Sequence, residues 1–333
     1  MTEYSVAVVG ATGVVGREMI KILEERDFPV SRLRLLASPR SEGEKRRFAG
    51  EEIVVERVSE GALRGTDILL FSAGSGVSKE FGPVAAGHGG TVIDNSSAFR
   101  MDKGVPLVVP EINGDLAKNG TGIIANPNCS TIQLVLVLAA LDRESTIERV
   151  VVSTYQSVSG TGREAMVELE TQSRRVLDGR AVDAEVYPHQ IAFNVLPHCD
   201  RFLETGYTLE EAKLMRETKK IMDRPQLRIT ATAARVPVFV GHSEAVNVQT
   251  SAPIAPERAR AVLENAPGVR VVDDPGTSAY PMAVFAAGGD LSLVGRIRKD
   301  ESVDNGLDMW IVADNLRKGA ALNAVQIAET LIA

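Results

Sequence analysis

The chain has 333 residues, 44% of them hydrophobic and 24% charged, which is enough to bury one large core or two and excludes disordered, collagen-like and disulfide-framework classes. A formal net charge of -7 and a pI near 5.4 give no footprint for nucleic acid or an anionic membrane, so an anionic small molecule would be met by local arginines. The longest apolar stretch, residues 132–141, is about half of a bilayer span, and no signal-peptide pattern precedes Tyr4, so the mature chain is expected to begin at Met1. Cys129 and Cys199 lack C-x-x-C spacing, which argues against a metal site and points to a reducing cytoplasm.

In chain order, residues 4–9 read as a buried parallel strand, followed by Gly10-Ala11-Thr12-Gly13-Val14-Val15-Gly16 and a helix ending near Arg26. Apolar runs at 33–37, 53–56, 68–72, 91–94, 107–109 and 122–125 alternate with helix-like segments, the pattern of a doubly wound α/β sheet. Beyond Cys129, residues 227–233, 244–250 and 291–298 alternate with period two, as half-solvated strands of an α+β domain do. Leu316, Ala320, Ala324, Ile327 and Leu331 recur at helical spacing and predict a C-terminal helix folding back on the first domain. The expected organisation is a Rossmann-type dinucleotide-binding domain, residues 1–128 completed by 314–333, and a second, α+β domain, 129–313.

Gly10, Gly13 and Gly16 are spaced G-x-x-G-x-x-G, at the strand-to-helix position where glycines let a pyrophosphate approach the backbone and the helix N-terminus supplies N–H donors. Such a turn also occurs merely for tight packing. The second strand ends in Ser38-Pro39-Arg40-Ser41, with no acid for a ribose 2′-hydroxyl. Arg40, with the hydroxyls of Ser38 and Ser41, suits a 2′-phosphate, so NADP is expected rather than NAD; the alternative is a solvated basic turn running on into Lys45-Arg46-Arg47.

In Asn126-Pro127-Asn128-Cys129-Ser130-Thr131 a cysteine sits between an extended turn and an apolar helix, where first-turn N–H groups favour the thiolate. Cys129 is a candidate nucleophile, or else a small buried hydrophobe.

Six motifs in order carry a resemblance over essentially the whole chain: the glycine turn, Asn95-Ser96-Ser97-Ala98-Phe99-Arg100, the Cys129 segment, Thr154-Tyr155-Gln156-Ser157-Val158-Ser159-Gly160-Thr161-Gly162, Glu217-Thr218-Lys219-Lys220-Ile221 and Arg235-Val236-Pro237-Val238-Phe239-Val240-Gly241-His242-Ser243-Glu244. With them the chain resembles the aspartate-semialdehyde dehydrogenase family, in its compact bacterial form. The resemblance implies NADPH-dependent reductive dephosphorylation of L-4-aspartyl phosphate to L-aspartate 4-semialdehyde, in lysine (diaminopimelate), threonine and methionine biosynthesis, by a cytoplasmic homodimer in which residues 129–313 are the catalytic and dimerisation domain.

It further implies that Cys129 forms the acyl-enzyme, Gln156 orients the substrate and His242 is the acid/base. Thiolates are strong nucleophiles, and imidazole titrates near neutrality. By the same resemblance Arg235 grips the α-carboxylate, Glu217 meets the ammonium, and Arg100, Lys220 and Asn128 meet the phosphate, while Ser159, Gly160 and Asn315 contact the cofactor. Taken singly, an arginine is more often a surface ion pair, an isolated histidine is structural, and Glu217 with Lys220, at i and i+3 on a helix opened by Thr208-x-x-Glu211, is a solvated bridge. His88, His189, His198 and Cys199 get structural readings. The rivals are N-acetyl-gamma-glutamyl-phosphate reductase, against which Glu217 argues because an acetylated amine would not satisfy a buried carboxylate, and a catalytically silent dimeric paralogue, against which Cys129, Gln156, Arg235 and His242 argue together.

Overall fold

A computed structural model describes residues 2–119 and 122–333; the reading of Met1 as the chain start lies outside the described residues. The chain divides into two compact units, Met1–Asn128 with Ala320–Ala333, and Cys129–Gly319.

The first unit carries β1 (Tyr4–Val9), β2 (Val30–Ala37), β3 (Lys45–Phe48), β4 (Glu51–Arg57), β5 (Ile68–Phe71), β6 (Thr91–Asp94) and β7 (Ile123–Ala125) in one sheet of order β3-β4-β2-β1-β5-β6-β7. All pairings are parallel except β3 with β4. β1 and β5 are almost continuously apolar because helices cover both faces of a parallel sheet. Strand order reverses between β1 and β5, the place where doubly wound sheets open a crevice at their carboxyl ends. The glycine turn occupies that place. Gly10 has φ +89°, and a Cβ on it would lie 2.8 Å from the carbonyl carbon of Ser72, just past β5. A Cβ on Gly16 would lie 2.2 Å from the Gly10 oxygen, so the helix Val14–Glu25 seats on the turn only with glycine there.

Two expectations are corrected. Lys45-Arg46-Arg47 is not a turn but part of edge strand β3, where its charges meet Glu44 and Glu52 and protect an exposed edge. Residues 107–109 form no strand; they lie between Pro106 and Pro110, which lack ladder N–H groups, and only Leu107 bridges to Ala125.

The second unit carries β8 (Ile147–Gln156), β9 (Arg228–Arg235), β10 (His242–Thr250), β11 (Val269–Val271), β12 (Ser292–Asp300) and β13 (Gly306–Ala313), in the order β11-β12-β13-β10-β8-β9. Alternate residues of β8 and β10 are buried, and the helix Cys129–Glu144, buried at every position from Ser130 to Leu138, packs on that face. The opposite face shows Tyr155 and Trp310, their rings 5.3 Å apart.

The C-terminal helix, Leu322–Ile332, buries Leu322, Val325 and Ile327 in the first unit's core with Met19, Ile20 and Leu23. The segment that joins this unit begins at Ala320, not at residue 314. Residues 314–319 are tied to the second unit, where the Asp314 carboxylate accepts from Gly288 N at 2.7 Å and the Asn315 Oδ1 accepts from Gly241 N at 2.9 Å.

Asn323 on that helix is fully buried, and its Nδ2 donates to Val108 O at 3.0 Å and to Asn126 Oδ1 at 2.7 Å. Asn323→Ala should strip both acceptors in a dry core and lower the unfolding free energy by about 3 kcal/mol. Urea unfolding at constant m-value checks this; a loss below about 1 kcal/mol would mean that the network is not structural.

Candidate active site

The candidate nucleophile opens its helix. Asn126, just past β7, donates from Nδ2 to Asn95 Oδ1 at 2.6 Å and to Ala320 O at 3.2 Å. Arg100, 7% exposed, donates from Nε to Asn126 O and from Nη2 to Asn95 O, both at 2.9 Å. These bonds fix the extended segment that runs through Asn128, buried in the first unit, to Cys129, the first residue of the helix Cys129–Glu144. Cys129 is half-buried, and a Cβ on Gly319 would lie 3.0 Å from its Cβ, so Gly319 leaves room for the thiol. Cys199, in contrast, is buried, and loss of solvent pushes its thiol up to about 11.

Gln156 ends β8 with its Nε2 donating to Ser130 Oγ at 2.9 Å and to Glu210 Oε1 at 3.1 Å. It therefore links the helix Cys129–Glu144 to the helix Leu209–Ile221. That second helix opens with both halves of the predicted capping box, and Glu211 also accepts from Ala233 N of β9 at 2.8 Å. Glu217 on it is 1% exposed and Lys220 is half-buried, so the pair is no solvated bridge.

Arg235 ends β9 directly beside Gln156. It is no surface ion pair: it is 7% exposed, donates from Nη1 to Ser157 O at 2.7 Å and stands over the Tyr187 ring at 5.9 Å, while Nε has no partner among the described residues. His242 opens β10, wholly buried. Its Nδ1 lies 3.1 Å from Ser157 N and 3.0 Å from Ser157 Oγ, and Nε2 meets no partner among the described residues. Loss of solvent, and then the charge of Arg235, hold this imidazole well below its usual range. A Cβ on Gly160 would come within 3.2 Å of His242 Nε2 and 3.3 Å of Arg235 Nη1, so both side chains converge on a space that glycine keeps open. Asn315 accepts on Oδ1 from Ser157 Oγ at 3.0 Å and donates from Nδ2 to Ser159 Oγ at 2.9 Å.

In the first unit, the helix Val14–Glu25 starts after Gly13 with no side-chain cap and no acid in its first turn, which leaves its N–H donors to an anion. Thr12 Oγ1 donates to Ser41 Oγ at 3.1 Å and so joins the glycine turn to the short 3-10 turn Pro39–Ser41, where Ser38 and Arg40 are exposed. Val14 and Val15 are half-buried at the helix start. The residues present fit a dinucleotide phosphate.

A parallel dinucleotide-type fold, joined in one chain to a mixed-sheet unit whose half-buried cysteine starts a helix, defines the class: a nucleotide-dependent oxidoreductase. Residues 5–120 match the family model described as semialdehyde dehydrogenase, NAD binding domain, and residues 138–318 the one described as semialdehyde dehydrogenase, dimerisation domain. The chain is 54% identical to an aspartate-semialdehyde dehydrogenase of Aquifex aeolicus over 99% of its own length and 98% of that protein's, and 48% identical to one of Bacillus subtilis over 98% and 96%. A crystal structure of aspartate semialdehyde dehydrogenase II complexed with ASA, from Vibrio cholerae, superposes with a TM-score of 0.96 at 46% identity, covering 100% of this chain and 99% of that one. The chain belongs to the aspartate-semialdehyde dehydrogenase family.

Sequence reasoning missed Ser130, Ser157, Glu210 and Gly319. Ser130 and Ser157 each follow a residue already singled out, and Glu210 stands inside the capping box, so position in the chain is the signal that could have found them. Nothing in the sequence connects Gly319 with Cys129.

Iodoacetamide at near-neutral pH should alkylate Cys129 and leave Cys199 untouched in the folded protein, because only the former is accessible and the latter's thiol is held protonated by burial. Peptide mass mapping reads this directly; equal labelling of both would show that the Cys199 pocket is open.

Proposed function

We propose that the chain is an aspartate-semialdehyde dehydrogenase that reductively dephosphorylates L-4-aspartyl phosphate to L-aspartate 4-semialdehyde through a Cys129 thioester, with NADPH as cofactor, in the lysine, threonine and methionine biosynthetic route. The observation that carries this reading is the convergence of buried His242 and Arg235 on the space beside Gly160, in the unit whose helix begins at Cys129. Family membership supports it over the N-acetyl-gamma-glutamyl-phosphate reductase and silent-paralogue readings.

In this reading Cys129 adds to the acyl carbon and phosphate leaves. Gln156, held by Ser130 and Glu210, aligns the acyl group. Arg235 offers its unpartnered Nε and the rest of its planar fork to the α-carboxylate, and buried Glu217 takes the ammonium. Arg100, Lys220 and Asn128 are assigned to phosphate. Gly10, Thr12, Gly13, Val14, Val15 and Gly16 would hold the pyrophosphate, and Ser38, Arg40 and Ser41 a 2′-phosphate; Ser159, Gly160 and Asn315 complete the cofactor assignment. Bound NADPH supplies hydride to the thioester carbon. No described helix is long and apolar enough to cross a membrane, and a cytoplasmic location suits the reading. A homodimer is assigned to the open sheet face with Tyr155 and Trp310, consistent with the matched dimerisation domain.

The direct assay is NADPH formation from aspartate semialdehyde and phosphate; its absence would sink the proposal. Arg40→Ala should raise the KM for NADP by roughly tenfold to a hundredfold and leave that for NAD nearly unchanged, since only the former has a 2′-phosphate. Equal loss for both would make Arg40 a surface charge. Arg235→Lys keeps charge but loses the fork, so the KM for aspartate semialdehyde should rise roughly tenfold with that for phosphate little changed, and Arg100→Lys should do the reverse. Initial rates varying one substrate at a time decide it; parallel rises in both constants for both variants would mean one shared anion trap.

A further inference from the structure

A carboxyl group without a counter-ion lies in the core of the second unit. Glu244, on β10, is wholly buried, and loss of solvent pushes its carboxyl well above the usual value of 4.5. Residues paired across a sheet share a face, so Glu244 stands between Thr154 of β8 and Ile311 of β13, with His242 and Val246 next along its own strand on that face. Arg149 of β8 and Asp308 of β13 pair with Gln249 and Asn247 and therefore lie on the other face. The helix Cys129–Glu144 covers the buried face, and its Gln133, fully buried, is the polar side chain that acts on Glu244. Among the described residues no charged group does so.

Both Glu244 oxygens, Gln133 Oε1 and Nε2, and Thr154 Oγ1 are buried, and none closes a well-formed hydrogen bond elsewhere among the described residues. Buried polar groups are almost always bonded, so these atoms are left to satisfy one another. A primary amide presents a donor beside an acceptor, and a protonated carboxyl presents the converse, so the two groups can bond twice, edge to edge. An ionised carboxylate has acceptors only and would set an oxygen against Gln133 Oε1. Thr154, able to give or take a bond, fits either state.

Gln133 lies four residues after Cys129, on the same face of its helix, and Glu244 lies two residues after His242, on the same face of β10. A satisfied, directional pair at these positions fixes how the helix sits along the strand, which non-directional apolar contacts do not. We infer that Glu244 is kept as a neutral acid in the folded protein, bonded to the Gln133 amide, and that this pair sets the register of the Cys129 helix against the strand that opens at His242. Glu244 is thereby a positioning residue. The kinetic consequence rests on the proposed function, because only a reaction at Cys129 would register a small displacement of that helix; the protonation of Glu244 rests on the core alone.

Two measurements test it. The infrared spectrum of the folded protein at neutral pH should contain the carbonyl band of a protonated carboxyl, and that band should vanish in Glu244→Gln. Its absence from the unaltered protein would show an ionised Glu244 and overturn the inference whatever the activity. The second measurement is kinetic. Glu244→Gln exchanges the acid proton for an amide proton and can keep both bonds, so kcat should stay within about twofold. Glu244→Met keeps the bulk but strands Gln133, so kcat should fall roughly tenfold to a hundredfold with the KM values little changed. The double variant Glu244→Met with Gln133→Met leaves neither partner unsatisfied, so resistance to urea should return. Its kcat should remain as low as that of Glu244→Met, since the directional pair is still missing. Recovery of kcat together with stability would reduce the pair to core filling, as would an undiminished kcat in Glu244→Met, and a loss in Glu244→Gln as large as in Glu244→Met would refute the pairing. The functional reading fails by a different result, the absence of phosphate-dependent turnover in the unaltered enzyme, and the infrared band still decides the state of Glu244 in that case.

Discussion

The buried amide of Asn126 is the constraint on which the course of the chain out of β7 depends. Its Nδ2 serves Asn95 and Ala320, its Oδ1 receives Asn323, and its backbone oxygen receives Arg100. In a dry core such bonds reinforce one another, and the loss of one partner leaves the rest unsatisfied. The chain leaves β7 along one direction only, and three residues later the helix Cys129–Glu144 begins. Because the amide is anchored partly by the C-terminal helix, residues from the end of the sequence help to set how the chain leaves the first unit's sheet. A hydrophobic residue at 126 would pack as well and specify far less.

The second unit is organised by a different device. There the helix Leu209–Ile221 is started by a capping box whose acid also holds β9, and the neighbouring Glu210 reaches Gln156. One turn of helix therefore supplies structure through Thr208 and Glu211 and site geometry through Glu210.

This mixture of roles explains what the sequence made legible. β1 and β6 are read to the residue because an apolar run bounded by polar or glycine residues admits one strand, and the glycine turn is read because its spacing comes directly after β1. The capping box was equally plain, since both partners lie within one turn. Features that depend on distant segments were not plain. Lys45-Arg46-Arg47 looks like a solvated turn until β4 pairs with it, and residues 314–319 share the apolar spacing of the C-terminal helix while their hydrogen bonds go to Gly288 and Gly241. The residue types of the candidate site could be named from motifs, but the partner of His242 Nδ1 could not, because it depends on the orientation of one peptide group, at Ser157, that no side chain announces.

The site is destabilising as well as organised. Arg235 Nε and His242 Nε2 are buried without a hydrogen-bond partner among the described residues, and Glu244, two residues along β10, is a wholly buried acid. Burial pushes the Glu244 carboxyl well above its usual value of 4.5, with Gln133 on the nucleophile's helix opposing the shift in part, while His242 is held well below 6.5. The signs are opposite. As pH rises past 4.5 the unfolded chain gains by ionising Glu244, and as it falls past 6.5 the unfolded chain gains by protonating His242, so the combined cost of the two groups is least between those values. Above that window the imidazole stays neutral while Glu244 costs increasing stability. Catalysis at neutral pH is thus supported by the extensive apolar burial of the Cys129 helix rather than by the polar groups of the site themselves.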